Sequence, residues 1–314
     1  MLYLLVIFVI ISLTLGISYY AFRVAFLAPP HLDANHYFVP EGIQYDAVRE
    51  GIRKSVAIMA QRKYEPITIT TFDGSKLFAR YYHIADDAPL QILFHGYKSS
   101  SLLDCSGGSY FASQLGHNAI VVDQRSHGQS DGTVITFGIK ERKDCLCWIE
   151  YAIKRFGKDV PIILSGLSMG AATVLMATDL SLPSNVKGII ADCPYSSPRE
   201  IILKVAKQMH FPTYLMFPFV WLGGFLFGHF NLLESSAIKA LKNCEIPILI
   251  LHGDADELVP YEMSEHMQKC GAKDITLESF AGAGHGLSYM ILPDKYEKVV
   301  KEFVSRCLNS QYNE

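Results

Sequence analysis

Charged side chains are missing from the first 22 residues, MLYLLVIFVIISLTLGISYYAF. A helix with no polar face is not a surface helix of a soluble domain. The stretch also lacks the Lys or Arg that opens a secretory signal, and its apolar run outlasts the usual signal core of about 7–15 residues. As a helix it would rise roughly 33 Å, enough to cross a hydrocarbon core of about 30 Å. An uncleaved membrane anchor over residues 1–23 is therefore expected, with Tyr19, Tyr20 and Arg23 at its interfacial end.

Other shortages narrow the function. No cluster of Lys and Arg stands out and the net charge is −3, which argues against nucleic acid as a partner. None of the seven cysteines falls in a CxxC pair, and the CLC at 145–147 is too tight for zinc spacing. An odd count cannot pair completely within one chain, so the cysteines read as reduced, buried fillers, which favours a reducing compartment. Positive charge near the first segment lies on its C-terminal side, at Arg23 and then Arg49, Arg53, Lys54, Arg62 and Lys63. The positive-inside tendency then leans toward a cytoplasmic catalytic domain behind a single-pass anchor.

What remains is regular. Residues 24–64 contain a Pro-bearing connector, APPHLDANHYFVPEG, and a helical pattern, YDAVREGIRKSVAIMAQR. Alternating residues around Asp73-Gly74 read as a β-hairpin. Short apolar runs follow, LQILF, NAIVV, PIIL, VKGIIAD, PILIL and DITLESF, most of them separated by helical patterns. Uniformly apolar strands alternating with helices imply an α/β domain over 65–314, with a mostly parallel sheet covered on both faces.

Polar groups collect where such strands end, which is where functional residues of open α/β sheets sit. HGYKSS follows LQILF, GLSMG follows PIIL, HGDADELVP follows ILIL, and GAGHG follows the last strand. In GLSMG, a serine between glycines at a strand-to-helix turn is the pattern of a nucleophile elbow. Along the chain the order is Ser168, an aspartate, then His285. With VVDQRSHGQSDG and HGDADELVP added, the sequence resembles the α/β-hydrolase superfamily, nearest to its serine aminopeptidase-like and esterase-like members, over about residues 65–308. It departs from that pattern at Ser126, where many relatives have glycine.

The resemblance implies Ser168 as nucleophile, His285 as base and Asp256 as the acid, with Asp192 and Asp254 as the other acidic candidates. A histidine base activates the otherwise weak hydroxyl, and a carboxylate fixes the imidazole's tautomer. The oxyanion donors would be the backbone N–H of Met169 and either the backbone N–H or the phenol of Tyr97. His95, His127, His252 and Asp123 read as loop architecture, and Cys193 lacks the elbow context. No metal or organic cofactor is implied.

Residues 194–243 form an insertion between two strands. Its centre, FPTYLMFPFVWLGGFLFGHF at 211–230, has six phenylalanines and no Asp, Glu, Lys or Arg. One membrane crossing there would put Ser168 on the opposite side from Asp256 and His285. A helical cap over the active site is expected instead, with aromatic residues facing the pocket and room to rest on the membrane beside the anchor. The function expected is a serine hydrolase acting through an acyl-enzyme on esters of hydrophobic acids. Peptidase or amidase action on short peptides, acyl transfer, and non-catalytic ligand binding are the rivals.

Overall fold

Asp73 and Gly74 turn the first hairpin, with Gly74 at φ +86° and the Thr71 hydroxyl donating to the Asp73 carboxylate at 2.8 Å. In the computed structural model, which describes residues 1–29, 39 and 42–309, this hairpin opens one eight-stranded sheet. Most of the connector at 28–42 lies outside the described residues. The strands are β1 (Glu65–Thr70), β2 (Lys76–Tyr82), β3 (Leu90–Phe94), β4 (Asn118–Val122), β5 (Ile162–Leu167), β6 (Val186–Asp192), β7 (Ile248–Gly253) and β8 (Ile275–Phe280). They lie in the order β1-β2-β4-β3-β5-β6-β7-β8. The β1–β2 and β2–β4 pairings are antiparallel and all others parallel.

The N-terminal helix α1 spans Leu2–Phe26, followed by α2 (Ile43–Asp46) and α3 (Arg49–Gln61). Within the sheet domain come α4 (Ser101–Asp104), α5 (Ser106–Gln114), α6 (Glu141–Phe156) and α7 (Met169–Met176). The insertion supplies α8 (Pro198–Gln208), α9 (Thr213–Phe227) and α10 (Ala237–Leu241). The chain continues with α11 (Tyr261–Gln268), α12 (Ser288–Ile291) and α13 (Pro293–Asn309). The pattern at 45–62 folds as two helices, α2 and α3, rather than one.

Strand alternation sorts the core. Ile162 and Leu164 pack with Trp148 of α6 and the apolar residues of α7, α10 and α11, whereas Ile163 packs with Phe111 of α5 and Val300, Phe303 and Val304 of α13. Both faces are covered, which is why the central strands carry almost no polar residues. The expected fold class is present: a mostly parallel sheet, helices on both faces and a helical insertion between β6 and β7.

α1 is long and apolar enough to cross a membrane. Only its C-terminal end enters the domain. Phe26 is fully buried against Phe137 and Phe230, and the chain beyond it bridges to Val134 through Leu27.

The insertion departs from expectation in its placement. α9 forms the most extensive helix–helix contact among the described residues, and it does so with α1. Glycines at 223 and 224 let the two backbones close: a Cβ at Gly223 would run into the Ser18 carbonyl and Phe22. None of the residues 211–230 lines the cavity that Ser168 and His285 border. The aromatic segment is thus not the roof of that cavity. An apolar helix seeks the largest apolar partner, and here that partner is the N-terminal helix.

Candidate active site

Ser168 stands between β5 and α7 at φ +53° and ψ −112°, a backbone conformation that L residues rarely adopt. Its neighbours explain how the turn is tolerated. A Cβ at Gly166 would collide with the Gly170 carbonyl group, and one at Gly170 with the carbonyls of Phe94 and His95. Only glycine allows strand, turn and helix to pack this closely. The Ser168 N–H donates to the Asp192 carbonyl at 2.8 Å, which ties the turn to the end of β6.

Loops after three strands converge here. His285 Nε2 lies 2.9 Å from Ser168 Oγ, and Nδ1 lies 2.7 Å from Asp256 Oδ2. The carboxylate accepts the Nδ1–H, so Nε2 is left as the acceptor for the serine proton. Asp256 Oδ1 accepts the backbone N–H groups of Leu258 at 2.9 Å and Val259 at 2.8 Å. Burial alone would raise this carboxyl. Hydrogen bonds from His252, His285 and the Val259 backbone overcome that and hold it well below the usual carboxylate range.

The other acidic candidates face elsewhere. Asp254 is exposed and accepts from the Gly282 N–H at 2.7 Å, bracing the turn after β8. Asp192 is buried, accepts from Ser288 Oγ at 3.3 Å, and has its carboxyl pushed up to about 6, chiefly by burial.

The turn after β3 lies against the serine, since a Cβ at Gly96 would sit 3.5 Å from that of Ser168. The Gly96 N–H is taken by half-buried Asp104 at 2.6 Å. The next N–H is that of Tyr97, a residue lining the cavity. Met169 opens α7, where first-turn N–H groups have no partner within the helix. The phenol of Tyr97 points away. It donates to the Ala25 carbonyl at the end of α1 at 2.7 Å, and its ring stacks on Phe137 with centroids 4.9 Å apart. Of the two expectations for Tyr97, the geometry leaves the backbone N–H.

The architectural histidines are satisfied and buried. His95 Nδ1 donates to the Gly96 carbonyl and Nε2 accepts from the Gln124 N–H; His127 Nδ1 donates to the Arg125 carbonyl and Nε2 accepts from the Lys98 N–H. Burial lowers the pKa of both. Asp123 accepts from Arg80 at 3.1 Å and from the Gln129 N–H at 3.1 Å. Ser126, the departure from the family pattern, holds φ +67°, a conformation that explains glycine's advantage there.

Several residues escaped the sequence reading. His252 does more than brace a loop: its Nε2 is 3.2 Å from Asp256 Oδ2, while Nδ1 accepts from Ser264 Oγ at 2.6 Å. Its signal was the spacing of four residues to Asp256. Cys193 Sγ lies 4.0 Å from His285 Nε2. Cys193, Asp256 and His285 place one ligand atom each within 4.8 Å of one another, near enough to share a metal ion. Two of them are already joined by a hydrogen bond, and burial pushes the Cys193 thiol well above its ordinary value, so the sulfur is protonated. The Tyr45 hydroxyl donates to the His285 carbonyl at 3.0 Å. Gln44, Tyr45 and Ile52 line the cavity, so α2 and α3 cover the site from one side.

The cavity beside Ser168 and His285 measures about 830 Å³, within the ~300–1,000 Å³ range of small-molecule sites. Ile52, Leu103, Leu258, Leu287 and Met290 supply apolar wall, and Pro29, just beyond α1, reaches its edge.

Comparison with known proteins gives concordant results. A family model described as serine aminopeptidase, S33, matches residues 88–224. The uncharacterized protein YqkD of Bacillus subtilis is 25% identical over 233 residues, covering 73% of this chain and 76% of YqkD. The lysophosphatidylserine lipase ABHD12 of Rattus norvegicus is 25% identical over 240 residues, covering 71% of this chain but only 57% of the lipase. The Pyrococcus furiosus esterase Pf2001 superposes with a TM-score of 0.67 at 22% identity, over 90% of this chain and 98% of the esterase.

Proposed function

We propose that the chain is a hydrolase of the α/β-hydrolase superfamily and that it cleaves carboxylic esters of hydrophobic acids by a Ser168–His285–Asp256 mechanism. The observation that carries this reading is the unbroken pair of hydrogen bonds, Ser168 Oγ to His285 Nε2 at 2.9 Å and Nδ1 to Asp256 Oδ2 at 2.7 Å, at the wall of a cavity.

The chemistry runs as follows. Ser168 Oγ attacks the ester carbonyl carbon as His285 Nε2 takes its proton, and the carbonyl oxygen gains the negative charge. The backbone N–H groups of Tyr97 and Met169 are the donors for that oxyanion, helped by the positive end of α7. His285 returns the proton to the departing alcohol, leaving an acyl-serine. A water, deprotonated by the same nitrogen, attacks the acyl carbon and releases the acid. Asp256 stays ionised throughout and stabilises the imidazolium formed in each half-reaction.

Apolar cavity walls favour a hydrophobic acyl group. The reading is strengthened by the carbonyls of Val24 and Ala25, which accept from the side chains of Lys98 and Tyr97 and fix the cavity beside the end of α1. With α1 as a membrane anchor, the cavity sits where acyl esters concentrate, as the name of the rat lipase also suggests. Basic residues after α1 favour the cytoplasmic side for the catalytic domain.

The family model's aminopeptidase label supports a second reading, cleavage of short peptides. That needs a carboxylate free to meet the substrate's ammonium, and exposed Glu257 at the cavity edge is the residue for it. Fluorophosphonate labelling of the full chain, with Ser168→Ala as control, tests the nucleophile. Acyl esters of graded chain length set against aminoacyl amides then separate the two readings. Absence of labelling in the folded wild-type protein would reject both.

A further inference from the structure

We infer that α9 is a membrane element, lying beside α1 in the leaflet nearest the catalytic domain, without crossing. The inference rests on the anchor reading of α1 and adds a second point of attachment to it.

The length of bare helix carries the argument. From Leu2 to Ile17, α1 stands clear of the domain, every residue exposed except half-buried Thr14. At 1.5 Å per residue these 16 residues cover ~24 Å, while the hydrocarbon core is about 30 Å thick. The shortfall of ~6 Å is one more turn of α1, and tilt only increases it. That next turn begins at Ser18, where α9 is already packed: Gly223 meets the Ser18 carbonyl, and Phe227 packs against Tyr19 and Phe22. A bilayer deep enough to cover α1 therefore reaches α9.

α9 is fitted for that position. Its sequence is apolar on all sides, yet α1 and the domain cover only part of it. Tyr214, Leu215, Phe225 and Leu226 are exposed, with Tyr214 at 82% and Leu215 at 66%, as is Phe211 just before the helix. α8, which packs against α9, carries Lys204 and Lys207, which suit lipid phosphates as Arg23 does on α1. At 15 residues, α9 is too short to cross, and Pro218 lies within it. This face and the bare part of α1 are both apolar and exposed, on two helices that pack together, so lipid is the occupant that satisfies both.

Tryptophan placement tests this in full-length protein reconstituted into bilayers with brominated acyl chains. Leu215→Trp probes α9, Leu13→Trp probes α1, and Ile84→Trp probes the far end of the sheet, beside Asn118 at the start of β4, all at exposed positions. The emission of the parent protein, from Trp148 and Trp221, is subtracted. Retention of the parent's thermal midpoint shows that each variant is folded. The expected result is loss of most added emission at 215 and at 13, with none lost at 84. Quenching at 13 but not at 215 overturns the inference and leaves the anchor standing. The same holds if 215 is shielded from aqueous iodide yet untouched by bromine, which would mark a second copy or another protein on this face. Quenching at neither position removes the anchor and the inference together. Quenching at 215 alone keeps α9 in lipid and removes the span.

Discussion

The loops around Ser168 and the α1–α9 pair are held together by opposite means. In the loops nearly every polar group has a named partner; Asp256 alone is met by two histidines and two backbone N–H groups. In the helix pair, contacts are aromatic rings and glycines, such as Phe227 against Tyr19 at 5.1 Å. Directional bonds set positions to within tenths of an ångström, as proton transfer requires. Apolar packing sets no such register, but it holds a surface against lipid. Precision and attachment are thus divided between two regions, which meet at Tyr97.

The largest effect expected from breaking the first region comes from Asp256→Asn. The amide can present a donor to His285 and stabilise the wrong tautomer, so kcat should fall about 10⁴-fold with KM little changed. Ester turnover by the purified variant measures it, and a loss below tenfold would mean that another carboxylate serves. The same residue sets a pH dependence. Its folded pKa is depressed, so its contribution to stability is present above the unfolded value of about 3.9 and is lost as pH falls through the folded value. Asparagine removes that loss from the acid-unfolding curve.

The second region breaks at Gly223. Gly223→Leu drives a side chain into the Ser18 carbonyl and Phe22, and overpacking of this kind costs about 1–3 kcal/mol. The expected outcome is a lower thermal midpoint for the full chain in detergent, with kcat/KM of the folded fraction unchanged. An equal loss of kcat would show that the pair helps to position the reacting groups.

Tyr97 sharpens the comparison because its two ends belong to different regions. Tyr97→Phe removes the hydrogen bond to the Ala25 carbonyl, about 0.5–1.5 kcal/mol, and keeps the backbone N–H. Turnover should change by less than tenfold. A phenol serving the oxyanion would instead cost about 10²–10³ in kcat.

The two regions were unequally legible from sequence. Ser168, Asp256 and His285 sit in short motifs whose glycines and strand ends are local features, so their order and surroundings were readable. The close approach at Gly166 and Gly170 is an equally local constraint. Nothing local says what an apolar helix will pack against. The 211–230 segment suits a cap and a partner of α1 equally well by composition, and only the folded chain shows Gly223 against Ser18. The cover supplied by Tyr45 was invisible for the same reason, since it contacts a residue 240 positions away. His252 was half legible: the spacing to Asp256 was visible, but a shared carboxylate depends on how the loop folds back.

The smallest effect concerns a buried polar group that belongs to neither region. His117 lies beside the start of β4, with Nδ1 3.2 Å from the Gln91 amide nitrogen, a contact that fits a neutral ring accepting a hydrogen bond. Burial lowers its pKa to about 4, against about 6.5 in the unfolded chain. Between these values the unfolded chain holds a proton that the folded one does not, so stability falls as pH drops from 6.5 toward 4 and levels off below. His117→Gln cannot titrate, and its stability in urea should vary less with pH across that window, by up to one proton. An unchanged slope would mean that His117 is solvated enough to protonate in place, and that not every buried polar group in the scaffold is held as firmly as those around Ser168.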